Sequence, residues 1–133
     1  MSRMLATILL AFLVVGLGVA GGDRVGSGGS GFRELHRAEV ADAGDLEVVM
    51  GLIERPSESR GAKHYHPGPE LGYILEGALT FETENARQVT LVAGDTFYQP
   101  AGEWHIASTS TDGVKTVVFR VLRKGQPMIV KID

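Results

Sequence analysis

Cysteine is absent from the 133-residue chain. That absence excludes a disulfide framework, a thiolate metal site, a thiol nucleophile and a lipid-modified lipoprotein terminus. Basic residues are not in excess: 13 Lys and Arg stand against 16 Asp and Glu, a net charge of -3. The chain therefore lacks the electrostatic footprint of a nucleic-acid binder. Beyond residue 32 it also lacks a helical period in its apolar residues, which leaves strands as the material of the fold. What is present is enough for a core, since 44% of the residues are apolar, and the length suits one compact domain rather than two.

The first twenty residues, MSRMLATILLAFLVVGLGVA, place one positive charge at Arg3 before an apolar run from Met4 to Ala20 that ends in small residues. This pattern predicts a signal peptide over 1–20, exporting the protein to the periplasm or the exterior. The run covers 17 residues, just short of the ~18–20 that cross a bilayer, so an uncleaved anchor helix over 4–20 is the alternative. Any membrane contact would run through this segment. Residues 21–31, GGDRVGSGGSG, hold six glycines and read as a flexible linker that cannot bury enough surface to offset its ordering entropy. The folded domain is expected over 32–133.

Within it, short runs rich in Val, Ile, Phe, Tyr and Thr recur between turn signals: 46–54, 62–66, 71–77, 79–84, 87–93, 95–100, 104–110 and 114–123. Their spacing predicts an all-β sandwich or closed barrel. A barrel removes exposed strand edges and leaves a mouth where alternate residues of several strands converge. Tyr73, Phe81, Phe97, Tyr98, Trp104 and Phe119 are candidates for its interior, as aromatic residues on strands usually are.

The chemistry concentrates in HYHPGPE, residues 64–70. Residues i and i+2 of a strand share a face, so His64 and His66 project side by side while Tyr65 points away. Glu70 follows a Pro-Gly-Pro break, a fixed corner from which its carboxylate can return to the same point. His105 is a third imidazole from a distant segment. Nitrogen and oxygen donors of this kind suit one divalent ion among Fe, Mn, Ni, Zn and Cu. A His-x-His pair on a strand is, alone, more often a solvated surface feature. His36 stands outside the pattern and is expected at the surface.

The spacing continues past the histidines. Glu70 is followed by six residues and Gly77; after 16 more, Gly94, Pro100, Gly102 and His105 come in order. This resembles the two signature motifs of the cupin family. The resemblance runs over about residues 45–123 and implies a double-stranded β-helix, or jelly-roll, barrel. It also implies that His64, His66, Glu70 and His105 form a three-histidine, one-glutamate metal set. Two positions depart from the pattern: Glu58 stands where a glycine is usual, suggesting a shifted turn toward Gly61, and Thr109 stands where asparagine is frequent.

Tyr98 and Gln99 lie nearest the second motif, and alternation turns one of them to the cavity, making them candidate pocket residues. Resemblance to cupin dioxygenases implies a metal-dependent oxidoreductase acting on a small molecule, with isomerase chemistry if the ion serves as a Lewis acid. The alternative is an exported module that binds a metal or small molecule without turnover, since fold analogy grants no activity. Small cupins often pair through an exposed strand, which implies a homodimer joined by the segment 32–42.

Overall fold

The computed structural model describes residues 31–85 and 87–133. The export or anchor segment and all of the linker except Gly31 lie outside the described residues. The rest is all-β: β1 (Gly31–Glu39), β2 (Leu46–Arg55), β3 (His64–Tyr65), β4 (Glu70–Thr83), β5 (Gln88–Val92), β6 (Thr96–Gln99), β7 (His105–Ser108), β8 (Val114–Arg123) and β9 (Val130–Lys131). Among the described residues no helix is long and apolar enough to cross a membrane.

The strands join in the order β1-β2-β8-β4-β7-β3-β9, with β5 and β6 both pairing with β4. Strand β4 holds the two halves together. Its first part pairs with β6 and β8, and its second part with β5 and β7. Between them lies a register shift at Ile74/Glu76 and then Gly77, at φ 76°, a left-handed backbone that glycine adopts without steric cost. A Cβ there would stand 1.8 Å from the Gly113 carbonyl oxygen. The sequence predicts two strands across this stretch; the backbone bends at Gly77 without ending the strand.

Ile74, Leu79, Phe81, Ala107 and Val114 form a buried cluster, with Leu91 and Phe97 packed against it. The rings of Phe81 and Phe97 lie 4.9 Å apart by centroid. Three other aromatic residues expected inside face outward, for a reason of register. Directly opposed residues of paired strands share a face, and Leu71 opposes both Tyr98 and Phe119. Because Glu70 points in, Leu71 points out, and so Tyr98 and Phe119 are 59% and 40% exposed. Tyr73 is exposed on the same outer face. Trp104 is half-buried, with the Lys63 ammonium 4.2 Å from its ring centroid.

The two departures from the motif pattern resolve differently. The turn has not shifted toward Gly61: Glu58 itself adopts φ 53° and donates its N–H to the Ser110 carbonyl at 2.6 Å. A side chain in this left-handed region is strained by about 1–2 kcal/mol. Glu58→Gly is therefore expected to raise stability by about 0.5–1 kcal/mol after allowing for the greater entropy of unfolded glycine, read as a higher urea midpoint at unchanged slope. Thr109 supplies a support of its own. Its hydroxyl donates to the Pro56 carbonyl at 2.6 Å and accepts the Ser59 N–H at 2.9 Å, tying the loop before β3 to the end of β7.

Candidate metal centre

Strand pairing alone brings two of the histidines together, because His64 on β3 directly opposes His105 on β7. Their ring centroids are 4.4 Å apart. His66 reaches the same face by its two-residue offset, and its carbonyl accepts the N–H of Gly102 at 2.9 Å. That bond joins the turn of the second motif to the first. One nitrogen from each of His64, His66 and His105 can be chosen so that all lie within 4.8 Å of one another. All three side chains are buried.

Two of the three rings are held by backbone carbonyls. Nδ1 of His64 lies 2.8 Å from the Ala62 carbonyl and Nδ1 of His66 lies 2.9 Å from the Met128 carbonyl. A carbonyl can only accept, so each Nδ1 carries the proton and each Nε2 keeps its lone pair. Nε2 of His66 and Nδ1 of His105 are buried with no hydrogen-bond partner among the described residues. Orphaned buried nitrogens are costly unless something occupies the space between them. Nitrogen donors suit a divalent ion of the borderline series, so three buried histidines this close together could hold a metal ion.

Burial pushes the His66 imidazole down to about 4 and the His105 imidazole down to about 3. His64 is lowered as well, again mainly by burial. The rings are thus neutral near pH 7, the state a metal requires. In the metal-free protein the same shifts have a stability consequence. Between about pH 6.5 and 4 the unfolded chain binds more protons at these sites than the folded one, so stability rises with pH across that window. Burial raises the Glu70 carboxyl, against the pull of Arg120, and this acts in the opposite sense, but it is one group against three. Metal-stripped protein is expected to lose stability on the order of a few kcal/mol from pH 6.5 to 4, measured by urea unfolding across that range.

Glu70 lies at the edge of the triad. The corner before it is tight: a Cβ at Gly68 would stand 1.7 Å from the Val121 carbonyl oxygen, and the Pro69 carbonyl accepts the Val121 N–H. The carboxylate is buried, with Oε2 3.6 Å from Nε2 of His66, and it accepts a hydrogen bond from Nε of Arg120. Arg120 is itself 4% exposed and stacks over Phe32 at 4.7 Å. Sequence reasoning missed this arginine, and also Thr116, whose buried hydroxyl has no partner among the described residues. Both lie on the inward parity of β8, alternating with Val118 and Leu122.

An inner chamber of about 40 Å³ is lined by the three histidines, Glu70, Thr116 and Arg120. Ile53, Arg55, His64 and Arg120 also line a larger outer cavity of about 470 Å³. Neither Tyr98 nor Gln99 lines either one. Gln99 does turn inward and is buried, opposite Glu70, while Tyr98 is corrected from pocket candidate to outer-face residue by the register already described.

The sequence pattern of the Cupin domain matches residues 52–121. The chain belongs to the cupin family. Among solved structures, it superposes on an uncharacterized conserved protein with a double-stranded β-helix domain from Klebsiella pneumoniae with TM-score 0.61 and 20% identity, over 83% of this cupin and 90% of that chain. The polyketide cyclase RemF from Streptomyces resistomycificus gives TM-score 0.60 and 20% identity over 77% and 70% of the two chains. The DMSP lyase DddQ from Ruegeria pomeroyi gives TM-score 0.57 and 24% identity over 63% of this cupin. This cupin spans 42% of that lyase's length. At such identities the likeness is one of fold, the double-stranded β-helix. No match was found among curated proteins.

Proposed function

We propose that this cupin binds one divalent metal ion through His64, His66 and His105, with Glu70 as a fourth donor, and acts as a metal-dependent, dioxygenase-like oxidoreductase on a small molecule. The observation that carries the reading is the set of three buried nitrogens within 4.8 Å of one another, two on rings whose remaining nitrogen is tied to a backbone carbonyl. Bound there, the ion would supply Lewis-acid chemistry or, if redox-active, electron transfer to oxygen. The chain's own residues do the rest. Two backbone carbonyls orient imidazoles, Phe81 packs edge-on against His105 at 5.5 Å, and Arg120 neutralises and aims the Glu70 carboxylate. His64 lines both cavities, so a small molecule in the outer one would meet the imidazoles through a shared wall.

A second reading, metal or small-molecule binding without turnover, draws on a specific feature. Among the described residues, Glu70 is the one carboxylate lining either cavity, and Arg120 already engages it. Oxygen uptake by the Fe(II)-loaded protein across a panel of diols and diketones separates the two. Turnover supports the enzyme, whereas retained metal with no uptake across the panel supports the binding module. Export through residues 1–20 or anchoring by residues 4–20, and pairing of two copies through the segment 32–42, belong to the same proposal.

A further inference from the structure

The short runs of strand-forming residues end at 123 in the sequence pattern, yet the chain beyond makes one more strand, against the histidines. A turn first brings it back from β8. The Gln126 N–H is donated to the Arg123 carbonyl, and the Gln126 side-chain oxygen accepts the Arg123 N–H. Pro127 then biases the residue before it toward extended backbone. From there the chain runs along β3 as β9, pairing Val130 with Tyr65 and Lys131 with His64. The Ile132 N–H is donated to the Lys63 carbonyl at 3.0 Å, and the Met128 carbonyl lies 2.9 Å from Nδ1 of His66. Residues 128–132 thus engage both histidines of the first motif, although none of their own side chains is a histidine or a carboxylate. The segment is lightly held. Strand β9 ends the sheet path, its register covers two residues, and Ile129 and Lys131 are exposed.

A segment with few buried contacts opens at a lower free energy than the core does. Opening here has a specific chemical effect. Nδ1 of His66 loses the acceptor that sets its tautomer and ring orientation, and the ring is then free to turn Nε2 away from the cluster. Loss of such an outer partner typically costs metal affinity about 10–100-fold. We propose that residues 128–132 are a positioning strap: docked on β3 they hold His66 ready for the ion, and undocked they release it, so a segment that supplies no ligand governs how tightly the ion is kept. Coupling between two binding events is reciprocal, so a bound ion holds the strap closed in turn. This deepens the metal reading above and rests on it.

The test uses the full chain with Zn(II) as the probe. Ile132→Pro removes the N–H that the Lys63 carbonyl accepts and should lower Zn(II) affinity about tenfold or more, measured by competition with a chromophoric chelator. Ile132→Val keeps that N–H and should bind as wild type does. In wild type, Zn(II) loading should slow amide hydrogen exchange at Val130 and Ile132 by a similar factor, and should leave the amides of β1, at the opposite end of the sheet path, little changed. A segment that served the fold alone would not make its exchange depend on the ion. If Ile132→Pro does not fold, the exchange measurement decides. The inference is overturned if folded Ile132→Pro binds Zn(II) as tightly as wild type, if Ile132→Val loses as much affinity as the proline variant, or if loading slows exchange at Val130 and Ile132 no more than in β1. Wild type that fails to bind Zn(II) overturns the metal reading and this inference with it, whereas tight binding with no dependence on the strap overturns this inference alone.

Discussion

Replacing His105 with alanine should lower divalent-metal affinity by at least about a hundredfold, measured by competition with a chromophoric chelator. Loss of a residue that merely orients a ligand already costs 10–100-fold, and His105 is proposed as a ligand itself. It is also central to the cluster: its ring lies 4.4 Å from that of His64 and 5.1 Å from that of His66, so its removal takes away one wall of the space between them. Truncation beside Phe81 also leaves a cavity, which costs stability by itself. The reading is therefore of metal affinity in folded protein, with His36→Ala as the control. His36 is exposed on β1, and its loss should leave affinity unchanged. Equal affinities for wild type and the His105 variant would remove this residue from the site.

Replacing Arg120 with methionine should destabilise the metal-free protein by about 3–5 kcal/mol, the range for breaking a buried ion pair from one side. Glu70 and Arg120 are 2% and 4% exposed, on directly opposed positions of β4 and β8. Methionine fills much of the arginine's volume, so most of the loss comes from a buried carboxyl left without its counter-charge. That carboxyl can escape part of the penalty only by taking up a proton, so the loss should grow as pH rises. The double variant Glu70→Gln with Arg120→Met removes the charge at both ends and should recover part of the loss, because an uncharged pair carries no unpaired ion. Urea unfolding of the wild type, both single variants and the double variant completes the cycle. A loss below about 1 kcal/mol for Arg120→Met would mean that the pair behaves like a solvated surface bridge.

The fold was legible in the sequence because its strands are short, regularly punctuated and free of helical period. The run at 114–123 coincides with β8, and 46–54 falls within β2. The facing of each strand was harder to read. In β8, one parity set is Val114, Thr116, Val118, Arg120 and Leu122, and the other is Lys115, Val117, Phe119, Val121 and Arg123. Both mix apolar and charged residues, so composition cannot choose between them. The register choice that buries Arg120 follows from Glu70, which opposes it across the sheet. Hydropathy misleads at Tyr98 and Gln99 for the same reason: Gln99 turns inward because it too opposes Glu70. Pattern matching found the histidines since their spacing is local within each motif. Arg55, Arg60, Arg120 and Lys131 line the outer cavity from four separate segments and meet only after the barrel closes.

The most direct test is a crystal structure of the metal-loaded protein with anomalous diffraction recorded at the ion's absorption edge. One strong peak is predicted, about 2.0–2.2 Å from a nitrogen of each of His64, His66 and His105, with Glu70 the nearest carboxylate. A peak elsewhere, or three rings turned away from a common point in protein shown to retain its metal, would contradict the account.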